Sequence, residues 1–217
     1  MKRNSKIIVS LVAIAAIGAF AFSQMPNGGP GSMAGMKMGT ADAPASTKAF
    51  ETAMSGMMTG MMTPATGKPD LDFAQGMIPH HQGAIDMARV VLQYGGDAEI
   101  KTLAEGVVKA QEGEIAILND WLGKTDKALL PASPESAKAN ADAMATMMKN
   151  MMGAYSGNAD VDFVKGMIPH HQGAIDMARV ALQYAKDPTL LKLAGEIVSA
   201  QTNEITFMNG WLKKNGQ

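Results

Sequence analysis

The sequence predicts an all-α fold, an antiparallel helical bundle built from a tandem repeat with about three helices per copy. Three observations carry this expectation. Apolar residues recur at helical spacing through most of the chain, no alternating β-branched run is flanked by hairpin turns, and a self-match at an offset of 90 residues runs from Met54 against Met144 to Trp121 against Trp211. Helices this dense, joined by short connections, pack antiparallel to their neighbours.

Composition narrows the chemistry before any motif is considered. The 217 residues are 47% hydrophobic and carry 19 basic against 20 acidic side chains, so no basic field exists to hold a nucleic acid. With no cysteine, thiol nucleophiles, disulfides, thiolate zinc sites and iron–sulfur clusters are all excluded. The 20 methionines and 4 histidines are the soft donors that remain.

Lys2, Arg3 and Lys6 precede an apolar run from Ile7 to Phe22, and Ala19-Phe20-Ala21 gives a small-x-small cleavage pattern. Residues 1–21 are therefore expected to be an export signal cleaved after Ala21. The run is short for a spanning helix, so no stable membrane insertion is expected after cleavage. Loss of the three basic residues leaves the mature chain at about −4. Residues 22–46, rich in Met, Gly and Pro, are expected to form a flexible linker. Met33, Met36 and Met38 stand in it where no core needs them.

Repeat 1 is expected over residues 47–124, a linker over 125–134 and repeat 2 over 135–217. The first helix of each copy carries a methionine stripe: Met54, Met57, Met58, Met61 and Met62, then Met144, Met147, Met148, Met151 and Met152. Packing is the first use of such a stripe, with secondary metal transfer as a further one. The second helix is expected to begin at Asp70 or Asp72, as N-caps, and to end at Tyr94 before Gly95-Gly96; Asp160, Asp162 and Tyr184 correspond. The third runs from about Ala98 to Leu122, and its counterpart from about Thr189 to Lys213.

The fifteen residues GMIPHHQGAIDMARV at Gly76 to Val90 recur unchanged at Gly166 to Val180, while flanking positions such as Glu105 and Gly195 have diverged. That contrast within one chain marks a constraint of chemistry or of very close packing. Met77, His80, Ala84 and Met87 follow at helical spacing along one face, and His81 lies four residues after Met77. Met167, His170, His171 and Met177 repeat the set. Pro79 removes a backbone hydrogen bond, and a distorted turn could bring both adjacent imidazoles to one ion. Thioethers with neutral imidazoles suit a soft monovalent ion, Cu(I) or its surrogate Ag(I), rather than the hard cations that want oxygen. Asp86 with Arg89 and Asp176 with Arg179 are expected as helix-surface ion pairs. Gln111 with Glu114, and Gln201 with Glu204, could buttress the imidazoles, and Trp121 and Trp211 are expected as packing anchors.

At MIPHHQGAIDMA, Met77 to Ala88 and Met167 to Ala178, the sequence resembles a bacterial family catalogued as a domain of unknown function that includes a periplasmic copper protein. The resemblance covers both repeats. It implies a ferritin-like four-helical bundle in which two consecutive histidines hold Cu(I) or Ag(I), with methionines nearby and a mobile first helix. On that reading His80 with His81 and His170 with His171 are the ligands. Three helices per copy then leave two arrangements open: methionine helices as extra arms on one bundle, or two small bundles about a pseudo-twofold axis.

The function expected is an exported Cu(I)/Ag(I)-binding protein for sequestration, resistance or chaperoning, not an enzyme, with a copper-efflux or metal-delivery protein as partner. A ferritin-like di-metal oxidase is an alternative, weakened because no Glu-x-x-His occurs. A methionine-rich peptide-binding module is another, and it leaves the repeated histidine block unexplained.

Overall fold

A computed structural model of the chain describes residues 43–151, 153 and 155–217. The expected signal, most of the expected linker with Met33, Met36 and Met38, and Met152 of the second stripe lie outside the described residues. Those described contain six α-helices: α1 (Ala45–Gly60), α2 (Pro69–Tyr94), α3 (Ala98–Lys124), α4 (Pro134–Asn150), α5 (Ala159–Tyr184) and α6 (Pro188–Lys214), with a 3-10 turn at Lys127–Leu129. No strand occurs among them, and none of these helices is long and apolar enough to cross a membrane.

The four long helices form one bundle. α2 packs on α3, α5 on α6, and α2 on α5, while α1 lies on α2 and α4 on α5. This decides between the two arrangements left open by sequence, because each of two apolar clusters draws on both repeats. One joins Met54, Phe73, Met77, Leu118 and Trp121 to Met177, Ala181, Leu190 and Ile197. The other joins Phe50, Met87, Val91, Ile100 and Val107 to Phe163, Met167, Met208 and Trp211. The first half of α2 thus shares a core with the second half of α5, and the second half of α2 with the first half of α5. Alanines at 84, 88, 174 and 178, all fully buried, allow the two helices to approach closely.

Reciprocal contacts reveal an approximate twofold axis. The Asp70 carboxylate accepts from the backbone N–H groups of Lys186 and Asp187 at 2.8–3.2 Å, and the Asp160 carboxylate accepts from those of Gly96 and Asp97 at 2.8–3.3 Å. These two aspartates are therefore not the N-caps the sequence suggests; each ties the start of its helix to the corner of the other repeat. Lys68 and Asn158 occupy the N-cap positions, and only Asn158 caps with its side chain. Asp72 and Asp162 instead accept from the N–H groups of the preceding loops, at Thr66 and Gly67 and at Ser156 and Gly157. Gly67 and Gly157 adopt φ of 79° and 84°, the left-handed conformation that glycine takes without strain. The Gly95-Gly96 stop uses no such freedom: Gly95 has φ −73°, and Ala185 stands at the equivalent place with φ −68°.

α1 and α4 seat their methionines in notches. Met54, Met57 and Met61 are buried, Met58 is half-buried and Met62 is exposed, so the first stripe is core on one side. A Cβ on Gly83 would lie 2.7–2.8 Å from Met57 side-chain atoms, including its Cβ, and one on Gly173 would lie 2.6 Å from Met147 Cγ.

Two sets of variants test this architecture. Asp70→Ala and Asp160→Ala each remove the charged acceptor of two half-exposed N–H groups at a repeat corner and should lower the unfolding free energy by about 1–3 kcal/mol in urea titrations; a loss under about 0.5 kcal/mol would show that water replaces the carboxylate. Gly83→Ala should destabilise by about 1–3 kcal/mol through overpacking, against its gain in helix propensity. At Gly113 nothing stands within 4 Å of an added Cβ, so Gly113→Ala should stabilise by about 0.5–1 kcal/mol.

Candidate metal centre

The repeated block occupies the middle of α2 and α5, where the two helices cross. Pro79 and Pro169 sit inside helices that continue through them, and α1 ends against the first: a Cβ on Gly60 would lie 2.7 Å from Pro79 Cβ. All four imidazoles are fully buried.

The closest rings come from different repeats. His80 and His170 have centroids 3.8 Å apart, tilted by 50°, on the approximate twofold axis. Consecutive rings are farther apart, 6.2 Å for His80 and His81 and 6.2 Å for His170 and His171, and stand edge to face. The sequence contains no local signal for the contact across the axis, because helical spacing relates residues only along one helix.

The outer imidazoles are held from the other side. His171 Nε2 lies 2.5 Å from Glu204 Oε2 of α6 in hydrogen-bond geometry, and His81 Nε2 lies 2.6 Å from Glu114 Oε2 of α3, off hydrogen-bond alignment. His170 Nε2 donates to the His80 carbonyl oxygen at 3.1 Å. Beyond these contacts, both ring nitrogens of His80 and the Nδ1 atoms of His81, His170 and His171 have no partner. Gln111 and Gln201, three residues before Glu114 and Glu204 on α3 and α6, are buried with their Oε1 atoms unpartnered.

Electrostatics keep the central pair neutral. Burial, and then the neighbouring imidazoles, push the His80 and His170 pKa values well below the ordinary histidine range, since a charged ring there would lose its hydration and face like charges. Each therefore presents lone pairs to a protein interior.

The methionines flank this layer. Met77 and Met177 belong to one apolar cluster and Met87 and Met167 to the other, all four buried. Their helices fit around them: a Cβ on Gly76 would lie 2.9 Å from Met177 Cε, and one on Gly166 the same distance from Met87 Cε. Among the described residues no group of three or more His, Asp or Glu stands ready to hold an ion. The donors that do gather, unpartnered neutral imidazoles with thioethers in the adjoining cores, fit a soft ion of low coordination number better than a hard one. Elsewhere Asp86 pairs with Arg89 at 3.5 Å, Asp176 with Arg179 at 3.6 Å, and Trp121 and Trp211 are buried anchors.

Comparison with known proteins fits this construction. CopM, solved in Ag-, Cu(I)- and Cu(II)-bound forms, is 34% identical, with matches covering 67–70% of this chain and 96–98% of that one at TM-scores of 0.52–0.53. A DUF305 fragment from Deinococcus radiodurans is 29% identical, covering 70% of this chain and 99% of its own length at a TM-score of 0.51. An uncharacterized protein, L153, of Acanthamoeba polyphaga mimivirus is 43% identical over 53 residues, 24% of this chain and 35% of that protein, so the match spans about a third of it. Residues 70–212, from the Asp70 latch through the whole four-helix core, match the family described as "Domain of unknown function (DUF305)", and the chain belongs to that family.

Proposed function

We propose that this chain is an exported Cu(I)- and Ag(I)-binding protein that sequesters the ion and passes it to a copper-efflux or metal-delivery protein. The observation that carries the reading is the set of fully buried imidazoles with unpartnered nitrogens at the crossing of α2 and α5. An orphaned buried polar atom costs about 1–3 kcal/mol, and a cluster of them calls for a ligand. The copper- and silver-bound forms of CopM, a family relative at 34% identity, support the choice of ion.

Each repeat contributes one site. His80 with His81, and His170 with His171, are the imidazole ligands, and Met77, Met87, Met167 and Met177 are thioether auxiliaries. The 6.2 Å between consecutive rings leaves room for an ion at ~2 Å from each nitrogen, which the 3.8 Å between His80 and His170 does not. The charged start of the chain and its Ala19-Phe20-Ala21 pattern support export, with residues 22–46 as a tether ahead of repeats 47–124 and 135–217. Outside the cytoplasm, thioether and imidazole ligands avoid the oxidation to disulfides that would remove a thiolate site.

Anaerobic Cu(I) titration against a chromophoric chelator should give about two ions per chain, abolished when His80, His81, His170 and His171 are all changed to alanine. The fold of that variant is checked by circular dichroism. Volume-conserving Met→Leu changes at residues 77, 87, 167 and 177 should weaken binding without abolishing it. Unchanged binding in the histidine variant would move the sites to the methionine helices, and no binding in the wild type would end the copper reading.

Apo-protein stability should depend on pH with a definite sign. Unfolded histidines titrate near 6.5, while folded His80 and His170 stay neutral well below that. The unfolded state therefore takes up protons first, so their full contribution is present above about pH 6.5 and is lost as pH falls toward the folded pKa values, at up to about 1.4 kcal/mol per pH unit per histidine. Asp97, held below the usual carboxylate range by the Ile100 N–H, and Asp187, where burial is outweighed by donors including the Leu190 and Thr189 N–H groups, lose their contributions only below about pH 4. Urea midpoints from pH 8 to 5 read the first window; a flat profile there would mean that the imidazoles are hydrated.

A further inference from the structure

The proposed sites leave open which nitrogen of each ring meets the ion, and the carboxylates of α3 and α6 answer it. Glu114 and Glu204 approach the same atom, Nε2, of His81 and His171 at 2.6 and 2.5 Å. At His171 the contact has hydrogen-bond geometry, so a proton lies between nitrogen and oxygen; at His81 the approach is off that alignment, but two facing lone pairs at 2.6 Å would repel, so one atom of that pair also carries a proton. An ionised carboxylate only accepts, which places the proton on Nε2. Both carboxylates reach solvent, with side chains 17% and 25% exposed, so they stay hydrated on one side while the rings they touch are fully buried. Across each ring from its carboxylate, Nδ1 is buried and has no partner. His170 shows the same polarity by a separate route: its Nε2 donates to a carbonyl oxygen, which can only accept, and its Nδ1 is unpartnered.

We infer that Glu114 and Glu204 are positioning residues that hold His81 and His171 in the Nε2–H tautomer, so that Nδ1 is the atom each presents to a soft metal ion. This rests on the metal-binding reading and adds to it the ligating atom and the group that selects it. A carboxylate behind a ligating imidazole also makes the ring more basic and fixes its orientation, so a soft cation binds better with no anionic ligand in direct contact. The duplicated sequence supplies the carboxylate twice, at equivalent positions of α3 and α6, although the two residues just before it have diverged, Glu112 and Gly113 against Thr202 and Asn203.

The test is made on the 15N-labelled full chain. Long-range proton–nitrogen correlation spectra near pH 7.5 should show Nε2–H for His81 and His171 without metal. Titration with Ag(I) should then shift their Nδ1 resonances and leave Nε2 protonated. Glu114→Leu with Glu204→Leu should mix the tautomers and weaken Ag(I) binding about 10–100-fold. Glu114→Gln with Glu204→Gln, whose amide oxygen still accepts from Nε2–H, should restore most of both. The wild-type spectra decide the tautomer even where the leucine variant fails to fold. Nδ1–H in the metal-free protein, a silver shift on Nε2, or an unchanged tautomer in the folded leucine variant would overturn the inference alone. No silver shift on any histidine would overturn it together with the copper reading.

Discussion

The structure depends on the antiparallel crossing of α2 and α5, with His80 against His170 at its centre. Four buried imidazoles at that point cost free energy, because several of their nitrogens have no protein partner. The crossing is held by what lies on either side. Each apolar cluster takes one half of α2 and the opposite half of α5, so neither repeat owns a core, and neither can separate without exposing both. At the ends, Asp70 and Asp160 bind the corners of the opposite repeats. Fixed at its two outer ends and filled on both flanks, the crossing leaves the polar layer little freedom to relax by moving the helices apart.

This geometry explains why the fifteen-residue block has stayed identical within the chain. Across an approximate twofold axis the block packs against its own copy, so a changed residue meets its counterpart's neighbours as well as its own. Gly76 admits the Met177 methyl group and Gly166 admits that of Met87, and the two contacts interchange under the axis. Enlarging one partner requires a matching change in a repeat encoded 90 residues away. The diverged pair Glu105 and Gly195 lies on exposed surfaces of α3 and α6, where no such coupling acts. Close packing and chemistry therefore act on the same residues: the helix face that must stay narrow is also the one that carries the donors.

How much of this the sequence made legible follows from the range of each signal. Helical periodicity and the 90-residue repeat are written along the chain, so six helices in two similar sets could be read directly. The motif also singled out the histidines, and their burial on one face with Met77, Ala84 and Met87 agrees with the spacing. Tertiary relations were less accessible. Asp70 near a helix start looks like a cap because caps are local, whereas its acceptors' partners are 116 and 117 residues away. The meeting of His80 with His170 had a single available clue, the repeat itself, since a duplicated unit often pairs through a twofold axis, but the position of that axis depends on which faces pack. Glu114 and Glu204 were legible as polar residues that either buttress the imidazoles or face solvent, and only the packing of α3 and α6 brings them against His81 and His171.

Charge balance then bears on which ion such a layer accepts. A cation held at the crossing as proposed would touch imidazole nitrogens and thioethers, so its charge would not be cancelled by a ligand it touches. The nearest counter-charges are Glu114 and Glu204, one ring away from the buried nitrogens and partly hydrated. A single charge can be offset through an imidazole polarised by one carboxylate. A second charge would have to be stabilised at the same distance in an interior of low dielectric, where the cost of an uncompensated charge rises steeply. On the proposed function, donor softness and electrostatics thus select in the same direction, toward a monovalent d10 ion. The same reasoning gives the carboxylates their place: close enough to fix the rings and balance one charge, and withdrawn enough to leave the buried layer without the oxygen ligands that hard divalent ions require.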